Sequence, residues 1–144
     1  MATSPTRVAS RRLKARDADL SRRQIADLTK TVRSVLTPNL LKPVFKKKVE
    51  SGAHPMTGHC YVASEAMFHM LGGKDAGLKP NSVRMGDCIH WWLETSTGQI
   101  IDPTFDQFDE KVPYHEGRGR GFLTRGPSKR AQEVIRRVEI KLAP

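Results

Sequence analysis

Cysteine is scarce in this chain, and long apolar runs are absent. Only Cys60 and Cys88 occur among its 144 residues, too few for a disulfide-stapled scaffold. No apolar run approaches the roughly 20 residues that a transmembrane helix needs. No apolar stretch follows the basic N-terminus, so we expect no secretory signal. These absences predict a cytoplasmic protein without a membrane partner, in which both thiols are free for chemistry.

Acidic residues are scarce in the first third of the chain. Residues 1–48 contain 13 lysines and arginines but only 3 acidic residues, a net charge of +10. Residues 49–144 contain 12 of each kind and are therefore neutral. This asymmetry favours a basic segment attached to a balanced globular domain over a uniformly basic nucleic-acid-binding protein.

The length fits one domain, which composition divides into parts. Residues 1–17 are predicted to form a flexible basic arm, because serine, threonine and arginine are frequent and no helical periodicity is present. Residues 18–144 are predicted to form a single domain, with a basic helical segment at 18–48 and the core at 49–144.

Hydrophobic periodicity predicts an α+β fold. The predicted helices cover 18–36, Leu40 to Lys48, Cys60 to Leu71 and Pro127 to about Arg137. The predicted strands cover 82–85, 88–94 and 99–102, and the alternation of Val138, Ile140 and Leu142 favours another strand at the C-terminus. In the 88–94 strand, alternation places Cys88, His90 and Trp92 on one side, and Ile89, Trp91 and Leu93 on the other.

Three segments in a fixed order carry candidate chemistry: GHCYVASEAM at 58–67, HWWLE at 90–94 and IIDPT at 100–104. Cys60 opens a predicted helix, where free backbone N–H groups favour a thiolate and can stabilise an oxyanion. His90 lies on a strand among apolar residues, and Asp102 lies on the next strand. A nucleophile, a base and an orienting carboxylate suit acyl transfer at sulfur.

In this order, the segments resemble the motifs of the transglutaminase-like branch of the papain-like cysteine enzymes, over about residues 55–106. The matching parts are Gly58-His59-Cys60-Tyr61, His90-Trp91-Trp92-Leu93-Glu94 and Asp102-Pro103-Thr104. The resemblance implies a papain/transglutaminase-like core, with an N-terminal helical part and an antiparallel sheet. It also implies a catalytic triad in which Cys60 is the nucleophile, His90 is the general base and then acid, and Asp102 fixes the imidazole.

The sequence departs from that family in three ways. His59 stands where transglutaminases often have glutamine, no clear glutamine precedes the cysteine, and the length has no room for calcium-binding accessory regions. Hydrolysis or a specialised transfer is therefore favoured over cross-linking. The segment from Tyr114 to Ala131 resembles small phage-encoded proteins of unassigned role, which would place the protein in the host cytoplasm.

Further residues are predicted to bind substrate: Tyr61, Trp91, Arg118, Arg120 and Arg125. The three arginines lie in a glycine-rich loop, where guanidinium groups and free N–H groups suit anions. Glu94 is expected to support the site. The loop lacks the lysine and hydroxyl residue of a P-loop, so nucleotide hydrolysis is not indicated.

Two alternatives stay open. A zinc site is one, since His54, His59, Cys60, Cys88 and His90 supply ligand atoms, although not at regular ligand spacing. Cys88 is otherwise interpreted as core or pocket lining, and His69 and His115 as surface residues. The second alternative is a nucleic-acid- or host-protein-binding module that uses residues 1–48 and carries a vestigial triad.

The favoured interpretation is a cysteine-dependent acyl hydrolase or transferase of the thiol protease, amidase or deamidase type. It would act on a protein or peptide-like substrate through a thioacyl intermediate and would need no cofactor. Residues 1–48 would offer a docking segment for an acidic partner or a nucleic acid.

Overall fold

Four α-helices and four short strands make up the regular structure of the described part of the chain. The structure, a computed structural model, describes residues 17–144, and side chains from residue 22 onward. The helices are α1 (Asp17–Val35), α2 (Pro43–Glu50), α3 (Cys60–Met70) and α4 (Lys129–Leu142). The strands are β1 (Lys79–Met85), β2 (Cys88–Glu94), β3 (Ile100–Ile101) and β4 (Arg118–Gly119). The predicted α+β class is confirmed, whereas the predicted arm at 1–17 lies outside the described residues except for Asp17.

The strands form one antiparallel sheet in the order β3-β2-β1-β4. β1 and β2 pair along their whole length, from Lys79 opposite Glu94 to Met85 opposite Cys88. β3 is much shorter and pairs only with Leu93 and Glu94 of β2. Within residues 17–144, the edge of β2 before Leu93 is therefore left without a strand partner.

The alternation of β2 divides the protein into two apolar layers. Leu93 faces the main core, which α1, α3 and α4 build on one side of the sheet. Trp92 faces the opposite side and packs with Met85 and Val112 under the segment that follows β3. Both side chains are almost fully buried. The predicted placement of Trp92 and Leu93 on opposite sides of β2 therefore matches the structure.

The basic segment at 18–48 shares the main core. Val32 and Val35 of α1 are buried against α3 and α4, because the apolar residues of α1 recur at helical spacing. Arg33 ties α1 to the segment after β3, since its guanidinium makes two hydrogen bonds to Asp106, at 2.8 and 2.9 Å, and one to the carbonyl of Pro103 at 2.6 Å. None of the helices among residues 17–144 is long and apolar enough to cross a membrane.

The predicted C-terminal strand is wrong, because α4 continues to Leu142. Ala131, Val134 and Val138 are buried at helical spacing, whereas Ile140 and Leu142 are both 61% exposed. The apparent alternation therefore came from two residues that do not pack in the core. α4 also starts later than predicted, at Lys129, with Ser128 as its N-cap.

β1 starts three residues earlier than the predicted strand at 82–85 and also includes residues 79–81. The other long elements agree with prediction to within one to three residues, and the short helix predicted from Leu40 begins at Pro43. Lys47 and Lys48 lie in its last turn, where cations suit the helix dipole.

Candidate active site

Cys60 is the first residue of α3, as the sequence predicts. The chain enters the helix through Gly58, whose φ of +82° favours glycine. A Cβ at this position would lie 2.6 Å from the side chain of Phe45, so only glycine fits here. His59 is fully buried, and its Nε2 lies 3.1 Å from the carbonyl oxygen of Thr37. These contacts hold the start of α3 against the segment that links α1 and α2.

The start of α3 covers the open edge of β2. The thiol of Cys60 donates to the carbonyl of Ile89 at 3.5 Å, and the hydroxyl of Ser64 donates to the carbonyl of Trp91 at 3.3 Å. Cys60 and Ser64 lie one helical turn apart, and the two carbonyls belong to alternate residues of β2. The helix thus takes the place of the missing strand partner and brings the thiol beside the backbone of His90.

His90 and Asp102 are joined by a short buried hydrogen bond. Nε2 of His90 lies 2.6 Å from Oδ2 of Asp102, and the two side chains are 0% and 2% exposed. With the carboxylate ionised, Nε2 carries the ring proton and donates it. Nδ1 of His90 is buried and has no hydrogen-bond partner among the described residues. Among the side chains of residues 22–144, none occupies this nitrogen, which is therefore left to accept a proton.

Asp102 receives two further hydrogen bonds. The hydroxyl of Tyr114 donates to Oδ2 at 2.8 Å, and the backbone N–H of Thr104 donates to Oδ1 at 3.3 Å. Three donors therefore hold this carboxyl group in one orientation. Sequence reasoning missed Tyr114, because its loop is distant from the three motifs and no spacing rule links it to Asp102.

Aromatic side chains enclose the pair. The ring of His90 stacks on Trp92, with centroids 5.8 Å apart, and meets the edge of Phe108 at 5.0 Å. Trp92 in turn contacts Tyr114 at 5.1 Å. Burial, followed by the charge of Asp102 and the hydrogen bond to it, raises the pKa of Tyr114. These contacts bury the imidazole and fix its orientation.

The thiol of Cys60 is protonated at neutral pH. Burial raises its pKa to about 12, and the charge of Asp102 acts in the same direction, while hydrogen bonding from the backbone of Trp91 and Tyr61 opposes both. No hydrogen bond joins Cys60 to His90 in the described structure. The expected stabilisation of a thiolate by the helix start is therefore outweighed by burial.

A largely apolar groove of about 920 Å³ opens beside Cys60. Tyr61, Cys88 and Trp91 line it together with the nucleophile candidate. Cys88 is half-buried and lines this groove. Pocket lining is one of the two positions predicted for it, the other being the core. The volume falls within the range of about 300–1,000 Å³ that is typical of ligand sites.

The predicted substrate-binding residues are only partly brought together. Tyr61 packs edge-on against Trp91 at 4.8 Å, and its hydroxyl accepts a hydrogen bond from the backbone of Leu123 at 2.7 Å. Both aromatic residues line the groove. The predicted arginines, Arg118, Arg120 and Arg125, are exposed and lie outside the groove lining. Glu94, expected to support the site, is the last residue of β2, where it pairs with Lys79 and Ile100, four residues along the strand from His90.

Glu65 is a second residue that sequence reasoning missed. Its carboxylate is fully buried and accepts hydrogen bonds from both the backbone N–H and the hydroxyl of Ser128, each at 2.7 Å. The hydroxyl of Ser128 also accepts from the N–H of Ala131 and caps α4. Glu65 thus holds the start of α4 against α3, five residues after the candidate nucleophile.

The candidate zinc ligands do not converge in the described structure. Residues 17–144 contain no group of three or more histidine, cysteine or acidic side chains placed to hold a metal ion. His54 lies 3.7 Å from Asp106, outside the groove lining. His115 is 81% exposed, as expected for a surface residue, whereas His69 is half-buried.

Compared with known proteins, the chain matches no family model, no curated protein and no solved structure. The proposed function therefore depends on the residues themselves.

Proposed function

We propose that the protein is a cysteine-dependent acyl hydrolase or transferase with a Cys60–His90–Asp102 triad. The main support for the proposal is the hydrogen bonding of the His90 ring. Nε2 is bound to the buried carboxylate of Asp102, and Nδ1 has no hydrogen-bond partner among the described residues. A general base needs this arrangement, because the hydrogen bond at Nε2 keeps the imidazole in one tautomer and Nδ1 can then accept a proton.

The position of the thiol beside β2 supports the assignment of the nucleophile. Cys60 lies at the wall of the groove and its sulfur lies 3.5 Å from the carbonyl of Ile89, the residue before His90. The order of a helix-borne cysteine, a strand-borne histidine and an aspartate after the next strand follows the transglutaminase-like resemblance. We therefore propose that α3 and the sheet correspond to the core of that family.

The raised pKa of Cys60 determines the order of proton transfer. Because the thiol is protonated at neutral pH, it must pass its proton to Nδ1 of His90 as the sulfur attacks the substrate carbonyl carbon. For this step the thiol exchanges its hydrogen bond to Ile89 for one to Nδ1. The carbonyl π electrons move to oxygen, where the N–H of Cys60, at the first position of α3, can donate to the oxyanion.

The bond to the leaving group then breaks. The leaving nitrogen or oxygen takes the proton from Nδ1, and a thioester remains on Cys60. Water, or an amine in a transfer reaction, gives a proton to Nδ1 and attacks the thioester carbonyl. The sulfur leaves as the product forms and recovers the proton from His90. Asp102 stabilises the imidazolium in both halves of the cycle without itself accepting the proton.

The test uses p-nitrophenyl acetate, an activated ester that needs no specific recognition. We expect an acetyl thioester on Cys60, detected by mass spectrometry, and turnover that is lost in Cys60→Ala. Asp102→Asn preserves the shape of the site but disturbs the tautomer, and should slow turnover by roughly 100-fold or more. Two matched controls, Cys88→Ala in the same groove and His115→Gln on the surface, should retain turnover. Turnover that survives in both Cys60→Ala and Asp102→Asn would overturn the proposal.

A further inference from the structure

Exposed apolar side chains gather around the groove beside Cys60. Six large apolar residues are strongly exposed in the described part of the chain, and three of them line this groove: Val44, Ile89 and Leu123. Leu123 is 91% exposed, although its backbone is held by the 2.7 Å hydrogen bond to Tyr61. Exposed apolar side chains that gather in one patch are typical of a surface that binds a partner.

Positive charge surrounds the same groove. Four exposed cations line it, Lys42, Lys48, Lys129 and Arg130, whereas the described part of the chain contributes one acidic residue to the lining, Asp87. None of the four cations forms a salt bridge with an acidic residue among those described. Lys42 and Lys48 lie at the two ends of α2, and Lys129 and Arg130 are the first two residues of α4. Since Glu65 fixes the neighbouring Ser128, the second pair extends from an anchored position.

We propose that this groove binds a peptide segment that carries acidic side chains next to apolar ones, and that this is the substrate class of the site. The inference rests on the proposed function, since it places the reacting carbonyl of that peptide at Cys60. The apolar side chains would contact Val44, Ile89 and Leu123. The acidic side chains would meet the four cations, which would speed association and select against basic sequences.

Other occupants fit less well. The chain's own residues 1–16 contain five lysines and arginines and no acidic residue, so the cations of the groove would repel them. A nucleic acid would match the positive charge but would leave the exposed aliphatic residues around the thiol without apolar partners. An acidic peptide with apolar side chains satisfies both features.

The experiment measures binding apart from turnover. Three fluorescein-labelled peptides are titrated into Cys60→Ala and followed by anisotropy: Asp-Asp-Leu-Leu-Asp-Asp, its Lys-Lys-Leu-Leu-Lys-Lys counterpart and its Asp-Asp-Ser-Ser-Asp-Asp counterpart. We expect the first to bind roughly tenfold or more tightly than either of the others. Raising the salt concentration should weaken its binding, because the cations are exposed to solvent.

Matched variants of Cys60→Ala locate the binding surface. The double variant Lys48→Glu/Lys129→Glu should abolish the preference for the acidic peptide. The double variant Lys46→Glu/Lys74→Glu changes the net charge by the same amount outside the groove and should preserve this preference. Leu123→Ser should weaken binding, whereas Leu142→Ser, at an exposed leucine elsewhere, should leave it unchanged.

Equal binding of the acidic and basic peptides, or equal effects of the groove and control variants, would overturn the inference. So would tighter binding of a single-stranded oligonucleotide than of the acidic peptide. Turnover of p-nitrophenyl acetate without a preference for acidic peptides would refute this inference alone. Acidic peptide binding without turnover would instead refute the proposed chemistry and leave the groove as a binding site.

Discussion

The hydroxyl of Tyr114 donates a 2.8 Å hydrogen bond to Oδ2 of Asp102. The same oxygen lies 2.6 Å from Nε2 of His90, so one carboxylate oxygen joins the tyrosine and the imidazole. We therefore regard Tyr114 as a positioning residue, which acts on His90 through Asp102 and touches no substrate.

Replacing Tyr114 by phenylalanine should cost more stability than the same change at Tyr61. Tyr114→Phe removes a hydrogen bond to a charged, buried group and should lower the free energy of unfolding by about 1.5–3 kcal/mol, against about 0.5–1.5 kcal/mol for Tyr61→Phe. Urea denaturation measures both losses. Nitrogen chemical shifts of the His90 ring should change only in Tyr114→Phe, and unchanged shifts would contradict the positioning role.

Alkaline pH should destabilise the fold through Cys60. The folded protein keeps this proton up to a pKa of about 12, whereas an unfolded chain releases it near 9.0. The unfolded state therefore binds fewer protons across that interval. The free energy of unfolding should fall as the pH rises above 9.0, by at most about 1.4 kcal/mol per pH unit from this group.

The check on this prediction is urea denaturation of wild type and Cys60→Ala at pH values on both sides of 9.0. Cys60→Ala should lose less stability over the interval than wild type does. Cys88→Ala is the matched control, since burial also raises the pKa of Cys88 but that side chain is less buried. Identical pH dependence in wild type and Cys60→Ala would rule out a buried, protonated Cys60 thiol.

Gly58→Ala should be more damaging than Gly98→Ala. Both glycines have positive φ angles, +82° and +88°, which cost an alanine roughly 1–2 kcal/mol. At Gly58 the new methyl group would also lie 2.6 Å from the Phe45 side chain, whereas nothing lies within 4 Å at Gly98. Overpacking of this kind adds about 1–3 kcal/mol. Thermal or urea denaturation compares the two variants, and equal losses would argue against the Phe45 contact.

Acid should weaken the link between α1 and the segment after β3. The hydrogen bond from Arg33 lowers the pKa of Asp106, so the folded state releases this proton more readily than an unfolded chain, whose ordinary value is 3.8. The stabilisation is therefore complete above that value and is lost as the pH falls below it.

A double-mutant cycle measures this link. With Arg33→Ala and Asp106→Ala, we expect a coupling energy of about 0.5–1 kcal/mol at neutral pH, since both side chains are about 30% exposed and solvent screens the pair. The coupling should shrink once Asp106 is protonated. A coupling that persists unchanged well below pH 3.8 would contradict the assignment.

Local signals in the sequence predict much of the frame around the site. The start of α3 at Cys60 and the extent of β2 at 88–94 both match, because the sequence signals for a helix start and for a short strand depend on neighbouring residues. The C-terminal strand was wrong for the same reason. Alternation of Ile140 and Leu142 carried no information, since neither residue is buried.

The sequence by itself determined the candidate reactive groups and the elements predicted to carry them: a thiol at a helix start, an imidazole on a strand and a carboxylate on the next strand, which in the structure ends one residue before Asp102. Only the tertiary structure decided their chemical state. Burial, which raises the pKa of Cys60, the Tyr114 bond that holds Asp102, and the free Nδ1 of His90 all arise from contacts between segments distant in the chain. Desolvation and hydrogen bonding depend on which segments meet in space, and no local pattern encodes them.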